Sequence, residues 1–395
     1  MAGSLKKEQR LWQACTDGDL ETVMELANDD GVDVNWVDSE YGRTPFYRAC
    51  FFGRTNVVEY LMRNPRVDVV KLQDQLCSPF FGACQEDHQD VVSLLLADPR
   101  VDPNKNKNDG ATPFFMACQK GHKEVISLLL ADPRIDPDKP RETGATPFFM
   151  ACQNGHNEVV SLLLADPRID LNKPMKDGET PFFMACQYGH NEVVSLLLAL
   201  PRIDPNKPQL NGTTPFFMAC RNGRREVVSL LLADPRVDPN IFRNDDVAPF
   251  FMACQYGHNE VAALLLADPR IDSNRLNESD ATSFFVACQN GHSKVVSLLL
   301  ADPKIDPNMS KDDRTTPFSA ACLNGHKEIV FRMLADPRVD HNKPDDEGYT
   351  PFSVTCQNGH KDIVSQLLGD PNVDPNRRHN SGATPFFQAC QNDHE

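Results

Sequence analysis

Long apolar runs are missing from this sequence. The usual limit is a stretch such as VVSLLLA, well short of the roughly 18 residues that cross a bilayer. No membrane insertion is therefore expected. Positive charge is also scarce: 40 Lys and Arg stand against 56 Asp and Glu, a formal net charge of −16. With no basic stripe, nucleic acid and anionic membrane surfaces are excluded as principal partners. The chain has no phosphate-cradling glycine loop, no G-x-S-x-G, no H-E-x-x-H and no paired carboxylates in a plausible cleft. Each of those arrangements would signal a reaction, so no enzyme activity and no cofactor are expected. The opening MAGSLKKEQR lacks the apolar segment of a secretory signal.

What the sequence does contain is one phrase repeated. It is cleanest from Ala145 to Asp170, ATPFFMACQNGHNEVVSLLLADPRID. Its cysteine recurs every 34 residues from Cys50 to Cys390, with Cys15 one residue out of step. A fixed period of about 20–50 residues marks a solenoid or array. Stacked repeats form one elongated unit without a central core. At roughly one helix diameter per repeat, the stack is expected to extend about 110 Å. The thirteen cysteines do not suggest disulfides. Period-related thiols would sit roughly 10 Å apart, whereas a disulfide needs Cα atoms within about 7 Å. They are read as small buried hydrophobes, which points to a reducing cytosol, with the nucleus not excluded.

Within one repeat, Thr146 is an N-cap and Pro147 a first helical residue. A short helix through Phe148, Phe149, Met150, Ala151 and Cys152 is predicted to stop near Gly155. A second begins after His156, with Glu158 in its first turn. It carries Val159, Val160, Leu162, Leu163 and Leu164 at helical spacing and ends before Asp166-Pro167. A polar turn then leads to the next Thr-Pro. Two such short helices cannot bury their apolar faces alone, so stacking must do it.

The words TPFFMACQNGH and NEVVSLLLADPRID also resemble the ankyrin repeat, G-x-T-P-L-H-x-A-A-x-x-G-H followed by V-V-x-x-L-L. The resemblance runs from about Leu11 to Glu395 and recurs in register. It implies an all-α ankyrin-repeat solenoid of stacked helix-turn-helix units with projecting turns. It also implies a non-catalytic protein-interaction scaffold or adaptor whose protein partner lies on the concave face. The alternatives are an inhibitory or targeting subunit of an enzyme complex, or the repeat region of a longer multidomain protein. A monomer is expected. The family's TPLH histidine is phenylalanine in most repeats here, Tyr47 in the second, and Ser319 and Ser353 later. Aromatic packing between repeats is expected in its place.

In chain order, residues 1–10 read as a polar lead and 11–37 as a degenerate capping repeat in which Leu11-Trp12 replace the phenylalanines. Residues 38–377 hold ten repeats, and 378–395 a truncated last one. That last half-repeat is expected to fray, or to belong to a longer protein. Repeats eight, nine and ten lack the turn glycine, and their turns are expected to be less well fixed. A Cys-x3-His spacing recurs, but gives two ligands per repeat where structural zinc takes four, so no metal site is expected. The aspartates and arginines of ADPR read as a solvated edge of weak ion pairs, and the methionines as packing between first helices.

The partner is then read from the exceptions. The exposed pair after each Ala-Cys is mostly Gln with Asn or Tyr, which makes Tyr188 and Tyr256 candidates. Repeat seven is locally basic through Arg221. Repeat two departs most: Phe51 and Phe52 replace the amides, beside Arg48 and below the turn residues Tyr41 and Arg43. Aromatic residues and arginine are enriched at binding hot spots, so this stretch is the chief candidate surface. The competing reading packs Phe51 and Phe52 under the first repeat, against Trp36.

Overall fold

A computed structural model describes residues 6–392. Among these residues there are 23 helices and no strand. They fall into two compact units: residues up to 185 with 195–203, and residues 186–194 with 204–395. In each unit, first helices pack on the first helices of adjacent repeats and second helices on second helices. The molecule is an all-α repeat solenoid.

Local chemistry sets each repeat. Helix Pro147–Asn154 starts where Thr146 Oγ1 accepts the Phe149 amide at 3.1 Å. It stops where Gly155 takes a φ of 72°. The same hydroxyl cap recurs at Thr44, Ser78, Thr112, Thr180, Thr214, Thr282, Thr316, Thr350 and Thr384. Among the first helices from the second repeat onward, the one at Pro249–Gln255 begins without it, because its N-cap is Ala248. The two phenylalanines fill the core: Phe114, Phe115, Phe148 and Phe149 are at most 1 % exposed. Each ring so buried is worth roughly 1.5–3 kcal/mol. This is the aromatic packing expected from the loss of the TPLH histidine.

Three side chains tie one repeat to the next. The turn histidine reaches back: His156 Nε2 lies 3.0 Å from Gln119 O, and His122 Nε2 lies 2.9 Å from Gln85 O. Asparagines of the projecting turns form a ladder. Asn104 Nδ2 donates to Arg134 O at 2.6 Å, while Asn104 Oδ1 accepts the Asp136 amide at 3.0 Å. Finally, Arg168 forks onto Asp166, with Nη2 to Oδ2 at 2.6 Å, and donates to Leu130 O of the preceding repeat at 3.1 Å. Its guanidinium holds the Asp166 carboxyl below the usual range. The ADPR edge is therefore not a row of loosely solvated charges. Arg100, Arg134, Arg168, Arg270 and Arg338 each satisfy a carbonyl left open at the end of the previous repeat's second helix.

Two further expectations change. The turns of repeats eight to ten keep their geometry without glycine: Asp246, Asp280 and Arg314 adopt φ of 55°, 51° and 59°. Arg314 N donates to Lys311 O at 2.9 Å, as Gly144 N does to Arg141 O. The cost is steric strain at a non-glycine residue, not a loosened turn. At the N-terminus, the first helix, Lys7–Asp17, starts inside the stretch read as a polar lead, and residues 1–5 lie outside the described residues. The last half-repeat forms helix Pro385–Gln391, which leaves Phe386 and Phe387 exposed; residues 393–395 lie outside the described residues.

Candidate functional site

The exceptional stretch of repeat two builds a site in the first unit. The Asp38 carboxylate accepts the amides of Glu40, Tyr41 and Arg43, which fixes the turn that presents Tyr41 and Arg43. Arg43 lies over two rings, its guanidinium carbon 4.1 Å from the Tyr41 centroid and 5.8 Å from that of Phe51. Arg48 lies between Trp12 at 4.1 Å and Phe52 at 4.4 Å. Its Nε donates to Thr16 Oγ1 at 3.0 Å. Trp12 Nε1 donates to Arg43 O at 3.1 Å, which closes the cluster onto the first repeat.

Around these groups is an open hollow of about 490 Å³, lined among others by Trp12, Trp36, Tyr41, Arg43 and Arg48. Among the described residues, neither guanidinium has a carboxylate within ion-pair distance, and Arg43 Nε is buried with no hydrogen-bond partner. Burial first, and Arg43 second, push the Arg48 pKa below its ordinary value. The Glu40 side chain, hydrogen-bonded to the Tyr41 hydroxyl, holds that phenol above its ordinary range. Five of the sequence candidates thus come together, but with their roles exchanged. Tyr41, Arg43 and Arg48 line the hollow. Phe51 and Phe52 stand behind the arginines, half-buried and in edge contact at 5.3 Å. Phe51 also stacks on Tyr47 at 6.0 Å. Phe52 reaches the first repeat through Arg48, which lies between it and Trp12.

In the second unit, Arg221 and Tyr256 meet: the guanidinium carbon is 5.6 Å from the ring centroid. They line another hollow, of about 400 Å³. Tyr188 is 42 % exposed and stacks on His190, outside the lining of this hollow. Sequence reasoning missed Trp12 and, in the second hollow, Lys311. Trp12 was signalled by its register: it holds the place of the second phenylalanine in a repeat with no repeat before it. Lys311 had a weaker signal, the recurrence of a cation at that turn position in Lys107 and Arg243.

The Cys-x3-His pairs are not poised for chemistry. The rings of His88, His122, His156, His258, His292, His326 and His360 are each held by a backbone carbonyl of the preceding repeat. The Cys152 thiol is fully buried, and burial pushes its pKa well above the ordinary value. Cys118 and Cys186 are alike. A thiol must ionise to act as a nucleophile. No helix among the described residues is long and apolar enough to cross a membrane.

Known families account for this arrangement. A model of ankyrin repeats in many copies matches residues 11–62, and one of three ankyrin repeats matches 80–175, 168–243, 236–311, 284–379 and 318–395. The chain belongs to the ankyrin-repeat family. No curated protein matches it. Ankyrin repeats are in general protein–protein interaction modules, and both hollows lie on the repeats of such a module, one in each compact unit.

Proposed function

We propose that this ankyrin-repeat protein is a non-catalytic scaffold or adaptor in a reducing, cytoplasmic setting. Its protein partner seats on the hollow formed by Tyr41, Arg43 and Arg48. The observation that carries this reading is the pair of guanidinium groups there. They are held over Trp12, Tyr41, Phe51 and Phe52 with no carboxylate within ion-pair distance, although Asp38 and Glu40 also line the hollow. Desolvating an arginine without pairing it is costly. A partner that supplies the missing acceptors recovers that cost, and aromatic and arginine side chains in such a pocket dominate binding energies.

The test uses the intact chain as bait, compared with a Tyr41→Ala, Arg43→Gln variant. Tyr41 is 40 % exposed, so the fold tolerates its loss. Losing two hot-spot contacts of more than about 1 kcal/mol each lowers partner recovery tenfold or more. Melting should stay where it was. Equal recovery of every captured protein by both baits would refute the proposal.

A further inference from the structure

We propose that the hollow around Arg221 and Lys311, in the second compact unit, is a separate binding site for the carboxylates of an acidic peptide segment. It uses none of the residues of the N-terminal hollow and so goes beyond that reading.

The lining is unlike the rest of the chain. In a molecule of net charge −16, this hollow is lined by Arg221, Arg243 and Lys311 and by no carboxylate. Asp245 takes up the charge of Arg243 in a two-pronged ion pair. Arg221 and Lys311 have no carboxylate within ion-pair distance among the described residues. Both are held over rings: Arg221 over Tyr256, and Lys311 Nζ at 5.7 Å from the Phe285 centroid. The Arg221 backbone is pinned as well, its carbonyl 2.8 Å from His258 Nε2, and Tyr256 stacks on that same imidazole at 6.3 Å. The cations are thus pre-positioned, which cuts the entropy lost on binding.

Repetition does not explain the charge of Arg221, which occupies the register filled by Gln85, Gln119, Gln153, Gln187, Gln255, Gln289 and Gln357. Lys311 occupies a register that is cationic in Lys107, Arg141 and Arg243 and not in Met175, Gln209, Asn277 and Asp345. Copying the common repeat would have left the Arg221 side of the hollow neutral. The size and charge also select the ligand. Arg221 and Lys311, the latter with part of its charge taken up by the neighbouring Asp312 and Asp313, match one or two carboxylates, not a polyanionic backbone, which the net negative charge repels at range. The Gln255 and Gln289 amides, which also line the hollow, offer donors and acceptors to a peptide backbone.

The test is fluorescence anisotropy with the full chain, in about 0.1 M salt to confine long-range repulsion to roughly 10 Å. The probes are fluorescein-labelled octapeptides alternating alanine with glutamate, glutamine or phosphoserine. The glutamate probe should bind at least about tenfold more tightly than the glutamine probe, the worth of a charge-assisted contact of about 1.4 kcal/mol. Arg221→Gln and Lys311→Gln should each weaken it about three- to tenfold, whereas Lys294→Gln, an exposed cation of the same unit outside both hollows, should leave it unchanged. Glutamine at 221 is the residue the fold carries in other repeats, so misfolding is not the explanation of a loss. The proposal is overturned by equal binding of the glutamate and glutamine probes, by indifference to both substitutions, by binding of the phosphoserine probe alone, or by no binding of the glutamate probe.

Discussion

Asp138→Asn should stabilise the first unit, and the argument comes from the asparagine ladder. Asn104 donates to the carbonyl 30 residues on and accepts the amide 32 residues on. Asn206 and Asn308 repeat this with Arg236 O and Asp238 N, and with Arg338 O and Asp340 N. At 138 the register holds an aspartate. Its Oδ2 accepts Lys173 Nζ at 3.0 Å, and its Oδ1 is buried with no hydrogen-bond partner. A carboxylate has no hydrogen to give the Arg168 carbonyl, which stands where Arg134 O stands for Asn104. An amide restores that bond, worth about 0.5–1.5 kcal/mol, and removes an unpartnered buried oxygen costing about 1–3 kcal/mol. The lost attraction to Lys173 offsets about 0–1 kcal/mol. A net gain of about 0.5–4.5 kcal/mol at pH 7 is expected. Burial, only partly opposed by Lys173, holds the Asp138 carboxyl above its ordinary value of 3.8. The folded state therefore binds this proton more tightly than the unfolded state does. Its contribution is fully present below 3.8 and is lost as pH rises through the folded-state value. Protonated, Asp138 can donate like an amide, so the advantage of the variant should shrink as pH falls toward 4. Long repeat arrays need not unfold in one step, so the suitable assay is native-state hydrogen exchange of the amides around 135–145 and 169–173. Slower exchange in the variant at pH 7 with a smaller difference near pH 4 is the expected result. A destabilised variant, or a difference independent of pH, would refute the reasoning.

Ala248→Thr supplies the hydroxyl cap that the other first helices from the second repeat onward carry; it should slow exchange at the start of helix Pro249–Gln255 by about 0.5–2 kcal/mol. Leu76 adopts a φ of 61° while 45 % exposed at a projecting turn of the first unit. Leu76→Gly relieves about 1–2 kcal/mol of steric strain, less about 0.5–1 for the freer unfolded chain. A small rise in melting temperature is expected by calorimetry, and a fall would show that the leucine is packed rather than strained.

Much of the single repeat was legible because its signals are local. Thr146-Pro147, Gly155 and the alternation of apolar positions specify where helices start, stop and face, and the structure places them accordingly. The bonds between repeats were not legible. His156 to Gln119, Arg168 to Leu130 and Asn104 to Arg134 each join residues 30 to 38 apart. Within a repeated phrase, every such pair is as plausible in sequence as its neighbours. Only the stacking geometry selects one. The turns lacking glycine misled for a related reason: the bonds fixing Arg314 come from its surroundings, and these override a local preference against positive φ.

The site was half legible. Exceptions to the repeat located it, but the sequence could not say which exceptional residues face outward. Gly82 shows why. It stands in the register of Arg48, Met116 and Met150, and by itself reads as a weakened helix. In the structure, a Cβ at Gly82 would lie 3.4 Å from Phe51 Cδ2 and 3.4 Å from Tyr47 Cζ. That is van der Waals contact, so the glycine of repeat three lies directly against the rings of repeat two, and Phe51 in turn lies under the guanidinium of Arg43. Departures that look independent along the chain thus form one packing unit across two repeats. In that unit the phenylalanines support the arginines, and Tyr41, Arg43 and Arg48 line the hollow.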